Sequence, residues 1–306
     1  MTLAILLAAA AALAFAAGTS LQHRAASAGP QSGTSAAGLV RRLVRQPSWV
    51  IGLGFSGVAF CLHAAALREG SLTLVQPIVV SAIVFAVFIR AGLDRRPPGG
   101  TEVAWALATF GGLALFIATL RPGAAQHPAG RSSALIFLAI SLAAVVVAVL
   151  WSRRVSTAAR RGLILGAAAG VLFGLIAGLI KVVVGLAQTG LDNVLDHWAS
   201  WALVGAGAGA LLLNQRAYQA ARLSVTMPIL NIVDVVVALA FGLSVFGEQL
   251  FSSPLRLLLE VGGLLIIGVG VWQLARHQEL GSAAARTRPS ERADGTASPG
   301  PPARQP

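Results

Sequence analysis

The sequence predicts an all-α membrane protein of about nine transmembrane helices, arranged as two inverted four-helix repeats joined by one extra helix. Three observations carry this expectation. Of the 306 residues, 56% are hydrophobic and only 11% charged, and the mean hydropathy of +0.77 is that of a chain whose solvent is largely lipid. The apolar residues collect into nine runs of about 20 residues, the length a helix needs to cross a bilayer core of roughly 30 Å. A proline motif recurs in the third and eighth of these runs.

In order, the runs are Thr2 to Leu21, Ser48 to Ala66, Ser71 to Ile89, Glu102 to Leu120, Ala134 to Trp151, Gly162 to Leu186, Trp198 to Leu213, Leu223 to Phe246, and Pro254 to Leu274. The first is read as a retained helix: Ala14-Phe15-Ala16 offers a small-x-small site, but no basic segment precedes the run as a signal peptide requires. The stretch Ala25 to Gly38 and the tail from His277 are rich in Gly, Ala, Ser, Pro and Arg. They hold too little apolar surface to order themselves. Residues 1–122 form the first repeat, 123–161 the linking fifth helix and its loop, 162–276 the second repeat, and 277–306 an unordered tail.

Charge fixes the orientation. An odd number of crossings puts the termini on opposite sides. Arg24, Arg41, Arg42, Arg45, Arg90, Arg95, Arg96, Arg153, Arg154, Arg160, Arg161, Arg216 and Arg222 share a side with the arginines of the tail, 18 in all, against Arg68, Arg121, Arg131 and Arg256 on the other. Basic residues are retained in the cytoplasm, so the N-terminus is expected outside and the C-terminus inside a multi-pass protein of the cytoplasmic membrane. The six tryptophans, Trp49, Trp105, Trp151, Trp198, Trp201 and Trp272, fall near run ends, where an amphipathic ring prefers the interface. The net charge of +12 is scattered between spans rather than gathered on one face, which argues for a lipid bilayer and against nucleic acid as the partner. Cys61 is the single cysteine, which excludes an internal disulfide and a cysteine-based metal cage.

The repeat is visible in the residues. Leu72 to Ile78 reads LTLVQPI, and Leu223 to Ile229 reads LSVTMPI. Each opens its run and follows an Ala-rich run introduced by a Ser-Trp pair, Ser48-Trp49 and Ser200-Trp201, at 29 and 28 residues from the proline. Runs one to four thus correspond to runs six to nine. Because the first run starts outside and the sixth inside, the two copies are inverted. Inverted repeats that each carry a proline-interrupted helix at the same place are a signature of secondary transporters. Pro77 and Pro228 each remove a backbone donor and free a carbonyl, which makes them candidate hinges; proline in the first turns of a membrane helix is also tolerated merely as a bend.

These segments, with Trp-x-x-Gly ahead of the first Ala-rich run and LLNQRAYQAARLSVTMPI ahead of the eighth, resemble the drug/metabolite transporter superfamily, in particular its EamA-like and NIPA-like magnesium transporter branch. The likeness spans Thr2 to His277 and implies a carrier fold. It also implies an acidic residue after each proline helix. Glu248 occupies that place in the second copy, whereas the first copy has only Asp94 amid Arg90 to Arg96.

Ionisable residues inside a bilayer are costly and so mark candidate sites. Asp234 lies 11 residues into the eighth run, roughly 17 Å deep at 1.5 Å per residue and near the midplane, with Asn231 one turn before it on the same face. Asp234 is the candidate for binding a coupling proton, a cation or the cargo, with Asn231 as hydrogen-bonding neighbour; a structural carboxyl paired to another helix is the competing explanation. Gln76 beside Pro77, His63 in the second run and its repeat-mate Asn214 are either interhelical hydrogen bonds or, as a set, the polar wall of a cavity. Lys181, the one lysine, either snorkels to the interface or forms a gate ion pair with Glu260, or with Asp234 deeper in. Glycines 162, 166, 170, 174 and 178 clear one face of the sixth run for close packing, within the chain or, in a homodimer, between copies.

Gly52 to Gly57 matches G-x-G-x-x-G by letter, but no βαβ context surrounds it, and no Walker, H-E-x-x-H or G-x-S-x-G motif occurs. The expectation is therefore neither an enzyme nor a cofactor protein, but a gradient-driven carrier of a small metabolite. A magnesium or other divalent-cation permease and a non-transporting membrane scaffold are the alternatives, with the metal ligands unassigned. A scaffold would fill the space between Gln76, Asn231 and Asp234 with side chains; a carrier would leave a cleft there.

Overall fold

The structure, a computed structural model, describes residues 1–27, 44–93, 95, 97–119, 130–188, 190–221, 223–248 and 253–291. Asp94, Arg96, Arg121, Arg222, most of the loop after the first helix and the tail from Arg292 lie outside the described residues. Among those described there are helices and no strands. The helices are α1 (Thr2–Ser27), α2 (Pro47–Glu69), α3 (Leu72–Val80), α4 (Ala82–Leu93), α5 (Gly100–Thr119), α6 (Arg131–Ser152), α7 (Ala158–Ala187), the short α8 (Leu191–Asp196), α9 (Trp198–Ala220), α10 (Leu223–Phe246) and α11 (Pro254–Glu291).

Eight stretches among the described residues are long and apolar enough to cross a membrane, α3 and α4 counting together as one. The chain is thus a multi-pass membrane protein. The seventh run of the sequence is the one that departs from expectation. It folds as α9, whose 23 residues have the length to cross, but the helix is diluted by Gly and Ala and ends in Asn214, Gln215, Arg216 and Gln219. The last helix also continues beyond its expected end at Leu274, with helical backbone to Glu291.

Local chemistry explains the helix starts. Pro47 opens α2 and Pro254 opens α11, where a missing N–H costs nothing because the first-turn donors have no intrahelical partner. Ser71 caps α3, its Oγ accepting from Leu74 N–H at 3.2 Å, and His197 caps α9, its Nδ1 accepting from Ala199 N–H at 3.2 Å.

The third run is broken where the eighth is not. After Pro77, Ser81 donates both its N–H and its hydroxyl to the carbonyl of Ile78, at 3.1 and 2.6 Å. Ser81 alone then separates α3 from α4. Ser81 draws on the Ile78 carbonyl, while Pro77, with no N–H to give the Thr73 carbonyl, weakens the ladder one turn earlier. In α10 the position the same distance beyond Pro228 is Ile232, which has no hydroxyl to offer, and that helix runs unbroken.

α1 packs against α2, α3 and α4, as α7 packs against α9 and α10; α5 lies along α11, and α6 rests on the outer side of α7. Small residues allow the closest approaches. A Cβ built at Gly18 would stand 2.8 Å from the carbonyl of Gly52, and one at Gly112 would stand 2.9 Å from that of Gly263. The glycine face of α7 lies against α10 of the same chain: a Cβ at Gly170 would stand 2.5 Å from the Leu230 carbonyl and one at Gly174 2.6 Å from the Asp234 carbonyl. This face is filled within the chain, so it does not serve as the contact between copies that the sequence left open.

Candidate functional site

Between α1, α2, α3 and α4 on one side and α7, α9 and α10 on the other lies a cavity of about 610 Å³. All five polar residues singled out in the sequence, Asp234, Asn231, Gln76, His63 and Asn214, line it. Asp234 is held from across the cavity, Gln76 Nε2 donating to its Oδ1 at 2.7 Å. The two ends of that bond belong to the two proline-bearing segments. The backbone of Asp234 is itself fixed by the α7 glycines, since Gly170 approaches its N–H and Gly174 its carbonyl.

Three buried polar atoms of this wall, His63 Nε2, Gln76 Oε1 and Asn214 Oδ1, have no hydrogen-bond partner among the described residues. A buried polar atom left unsatisfied costs ~1–3 kcal/mol, so this wall carries polar groups whose demand the described residues do not fully meet. The rest of the lining is mostly aliphatic and aromatic, with Asp234 its one carboxylate among the described residues. Thr19, Tyr218 and Arg90 also line the cavity and were not identified from the sequence. Tyr218, whose hydroxyl donates to the Met227 sulfur at 3.1 Å, follows Asn214 by one helical turn, which is the signal that marks it.

Part of the lining falls in pairs along the chain. Lining residues pair at the offset that separates Pro77 from Pro228: Phe60 with Leu211, His63 with Asn214, Gln76 with Met227, Val80 with Asn231, Ile83 with Asp234. Phe15 with Phe173 and Thr19 with Ala177 pair at a second constant offset, between α1 and α7. The pairs are alike in place and unlike in chemistry, so the carboxylate stands on one side only.

One end of the cavity meets a charged knot. Lys181, next to the lining residue Ile180, donates to Glu248 Oε1 at 2.6 Å and to the Gly70 carbonyl at 3.0 Å, and its ammonium stands 4.8 Å from the centre of the Phe246 ring. Glu248 in turn accepts from the backbone N–H groups of Leu72 and Thr73, at 2.8 and 2.9 Å. These are the first donors of α3, which have no partner inside the helix, and the helix dipole favours a carboxylate there. The Lys181 and Glu248 side chains are 11% and 1% exposed.

The pairing of Lys181 with Glu260 or Asp234 expected from the sequence is therefore not formed. The reason lies just past the end of α10. Gly247 takes a left-handed φ of 62°, Glu248 N–H bonds back to the Gly242 carbonyl at 3.1 Å, and the carboxylate folds into space that a side chain at Gly242 would fill. Glu260 is buried on α11, outside the cavity lining, with neither carboxylate oxygen bonded among the described residues. Pro77 and Pro228 are both buried, each next to a lining residue, Gln76 and Met227.

No family model matches the chain, and no solved structure matches it. A curated protein of Corynebacterium glutamicum, itself described as uncharacterized, is 27% identical over 251 residues, covering 81% of this chain and 86% of its own length.

Proposed function

We propose that the protein is a secondary carrier of the drug/metabolite type, which moves a small organic molecule by alternating access and couples that movement to a proton or ion gradient at Asp234. The observation that carries this reading is the cavity itself: a space of about 610 Å³ between two sets of corresponding helices, crossed by the Gln76 to Asp234 hydrogen bond. A scaffold whose helices simply pack would fill that space. The paired offsets of the lining residues support two repeats that share it, and α9, long enough to cross, supplies the ninth crossing that an inverted arrangement needs. Arg90, Arg153 and Arg216 then end their helices on the cytoplasmic side, with the Lys181–Glu248 knot outside.

In this account the knot is the outer gate. It ties the N-terminus of α3, in the first half, to α7 and the end of α10, in the second, and it must come apart for the cavity to open outward. The bend at Ser81 lets α3 move while α4 stays in place. Asp234 changes its charge or its partner in each cycle, Gln76 being the group it lets go.

The lining favours an organic cargo over a bare divalent cation. Calcium prefers about six to eight oxygen ligands and magnesium stripped of its waters about six, and this wall offers one carboxylate amid mostly apolar side chains. The test is reconstitution in proteoliposomes with a pH-sensitive dye, screening small organic cations, amines and neutral metabolites beside radiolabelled magnesium. A cargo-dependent proton signal in the wild type, absent in Asp234→Asn, is the expected result. Magnesium flux that disappears in Asp234→Asn would instead establish the cation permease.

A further inference from the structure

A second cleft, of about 560 Å³, lies on the outer side of the bundle, away from the proposed transport cavity. Its walls are α6 and α9. Both pack on α7 and scarcely touch each other, so the surface of α7 forms the floor. Leu142, Val146 and Val149 line one wall, Gly205, Gly209 and Leu212 the other. The positions recur at three, four and seven residues, so each wall is one continuous helical stripe.

Both stripes end on arginine at the same end of the bundle. Arg216 extends the α9 stripe and lines the cleft; Arg153 continues the α6 stripe, one turn beyond Leu150, whose carbonyl accepts its N–H. That the two ends coincide follows from α7, whose first turn follows Arg153 closely in the chain and whose Gly162 meets Ala221, the residue after α9. Arg154, Arg160 and Arg161 stand at this end as well, and no Asp or Glu occurs between Arg131 and Gly190 or between His197 and Val233. The lining runs from Leu138 to Leu150 on α6 and from Ala202 to Arg216 on α9, ~18 and ~21 Å at 1.5 Å per residue, enough to take in one leaflet of a hydrocarbon core ~30 Å thick.

We propose that this cleft binds a diacyl phospholipid with an anionic headgroup, an acyl chain lying between α6 and α9 and the phosphate at the arginine end. The depth takes in one leaflet, the walls are apolar, and the helices that form walls and floor bring no carboxylate to the positively charged mouth, the arrangement by which basic pockets between membrane helices select acidic lipids. Charge argues against a second copy of the chain as the occupant. A parallel two-fold dimer through this face would bring two sets of the same arginines together.

The experiment is native mass spectrometry of the full chain, solubilised with an equimolar mixture of phosphatidylglycerol and phosphatidylcholine of identical acyl chains. The wild type is expected to retain phosphatidylglycerol over phosphatidylcholine by about tenfold, as one or two charge-assisted hydrogen bonds allow. Arg153→Gln with Arg216→Gln, both at exposed positions, should bring that ratio close to one while lipid is still carried. Gly205→Leu should remove bound lipid of both kinds; a Cβ there meets nothing within 4 Å, so the substitution fills the cleft without disturbing the fold. Equal retention of the two lipids by the wild type would overturn the proposal, as would retention unchanged in Gly205→Leu. A lipid-free dimer that Gly205→Leu dissociates would overturn it too, and would make the cleft an interface between copies. None of these outcomes depends on whether the chain transports.

Discussion

Glu248 accepts three hydrogen bonds, one from Lys181 and two from the start of α3, and this makes it more than half of an ion pair. Removing one partner of a buried pair costs ~3–5 kcal/mol because the other charge is stranded, so Glu248→Gln should lower the thermal midpoint of the purified protein by several degrees. The charge swap Lys181→Glu with Glu248→Lys separates the two roles. A plain ion pair would be rescued by it, whereas a lysine at 248 cannot accept from Leu72 and Thr73, and the account expects the swapped protein to melt no higher than the single variants. The sequence gave Lys181 the wrong partner, because helical depth alone ranks Glu260 and Asp234 as neighbours. The partner was legible only through Gly247, a residue suited to left-handed backbone that turns the chain back over Gly242. The polar wall was more readable: the expense of polar groups in hydrocarbon singles out His63, Gln76, Asn214, Asn231 and Asp234, and all of them line one cavity. Asp234→Asn keeps an oxygen to accept from Gln76 and removes only the charge, so it should fold as the wild type does and lose cargo-coupled proton movement, read by the dye in proteoliposomes.

Among the elements, α7 and the α3–α4 break bear most on the site. Adding a methyl at Gly174 places it 2.6 Å from the Asp234 carbonyl and 2.7 Å from Val237 Cβ. Overpacking of this kind costs ~1–3 kcal/mol, and Gly174→Ala should lower the unfolding midpoint, whereas Gly185→Ala, where a Cβ meets nothing within 4 Å, should leave it unchanged. The four-residue glycine period announced a close helix contact but not its partner; periodicity describes one face of one helix, and the facing helix is set by the whole bundle. The break at Ser81 was hidden for a similar reason. Proline marked both helices alike, and the difference came from the residue four positions on, Ser81 against Ile232. Ser81→Ala removes the competing hydroxyl without adding volume, so amide hydrogen exchange across residues 80–84 should slow if the hydroxyl keeps this turn open; an unchanged rate would assign the break to Pro77 alone.

At the scale of the molecule, two sets of helices enclose a cavity that ends at the Lys181–Glu248 knot and extends toward Arg90 and Tyr218. The sequence anticipated the helical membrane class from hydropathy. Gly residues and a polar end of Asn214, Gln215 and Arg216 dilute the seventh run, which folds as α9. Alternating access makes a demand on this architecture that needs no knowledge of the cargo. The most direct measurement is labelling of a single cysteine at the cavity wall, Val80→Cys in a Cys61→Ser background, by a membrane-impermeant thiol reagent applied to right-side-out and inside-out vesicles. The account predicts labelling mainly from the Arg90 side when the knot is intact, and labelling from the opposite side once Glu248→Gln loosens it. Labelling from neither side, or a pattern that Glu248→Gln leaves unchanged, would contradict it.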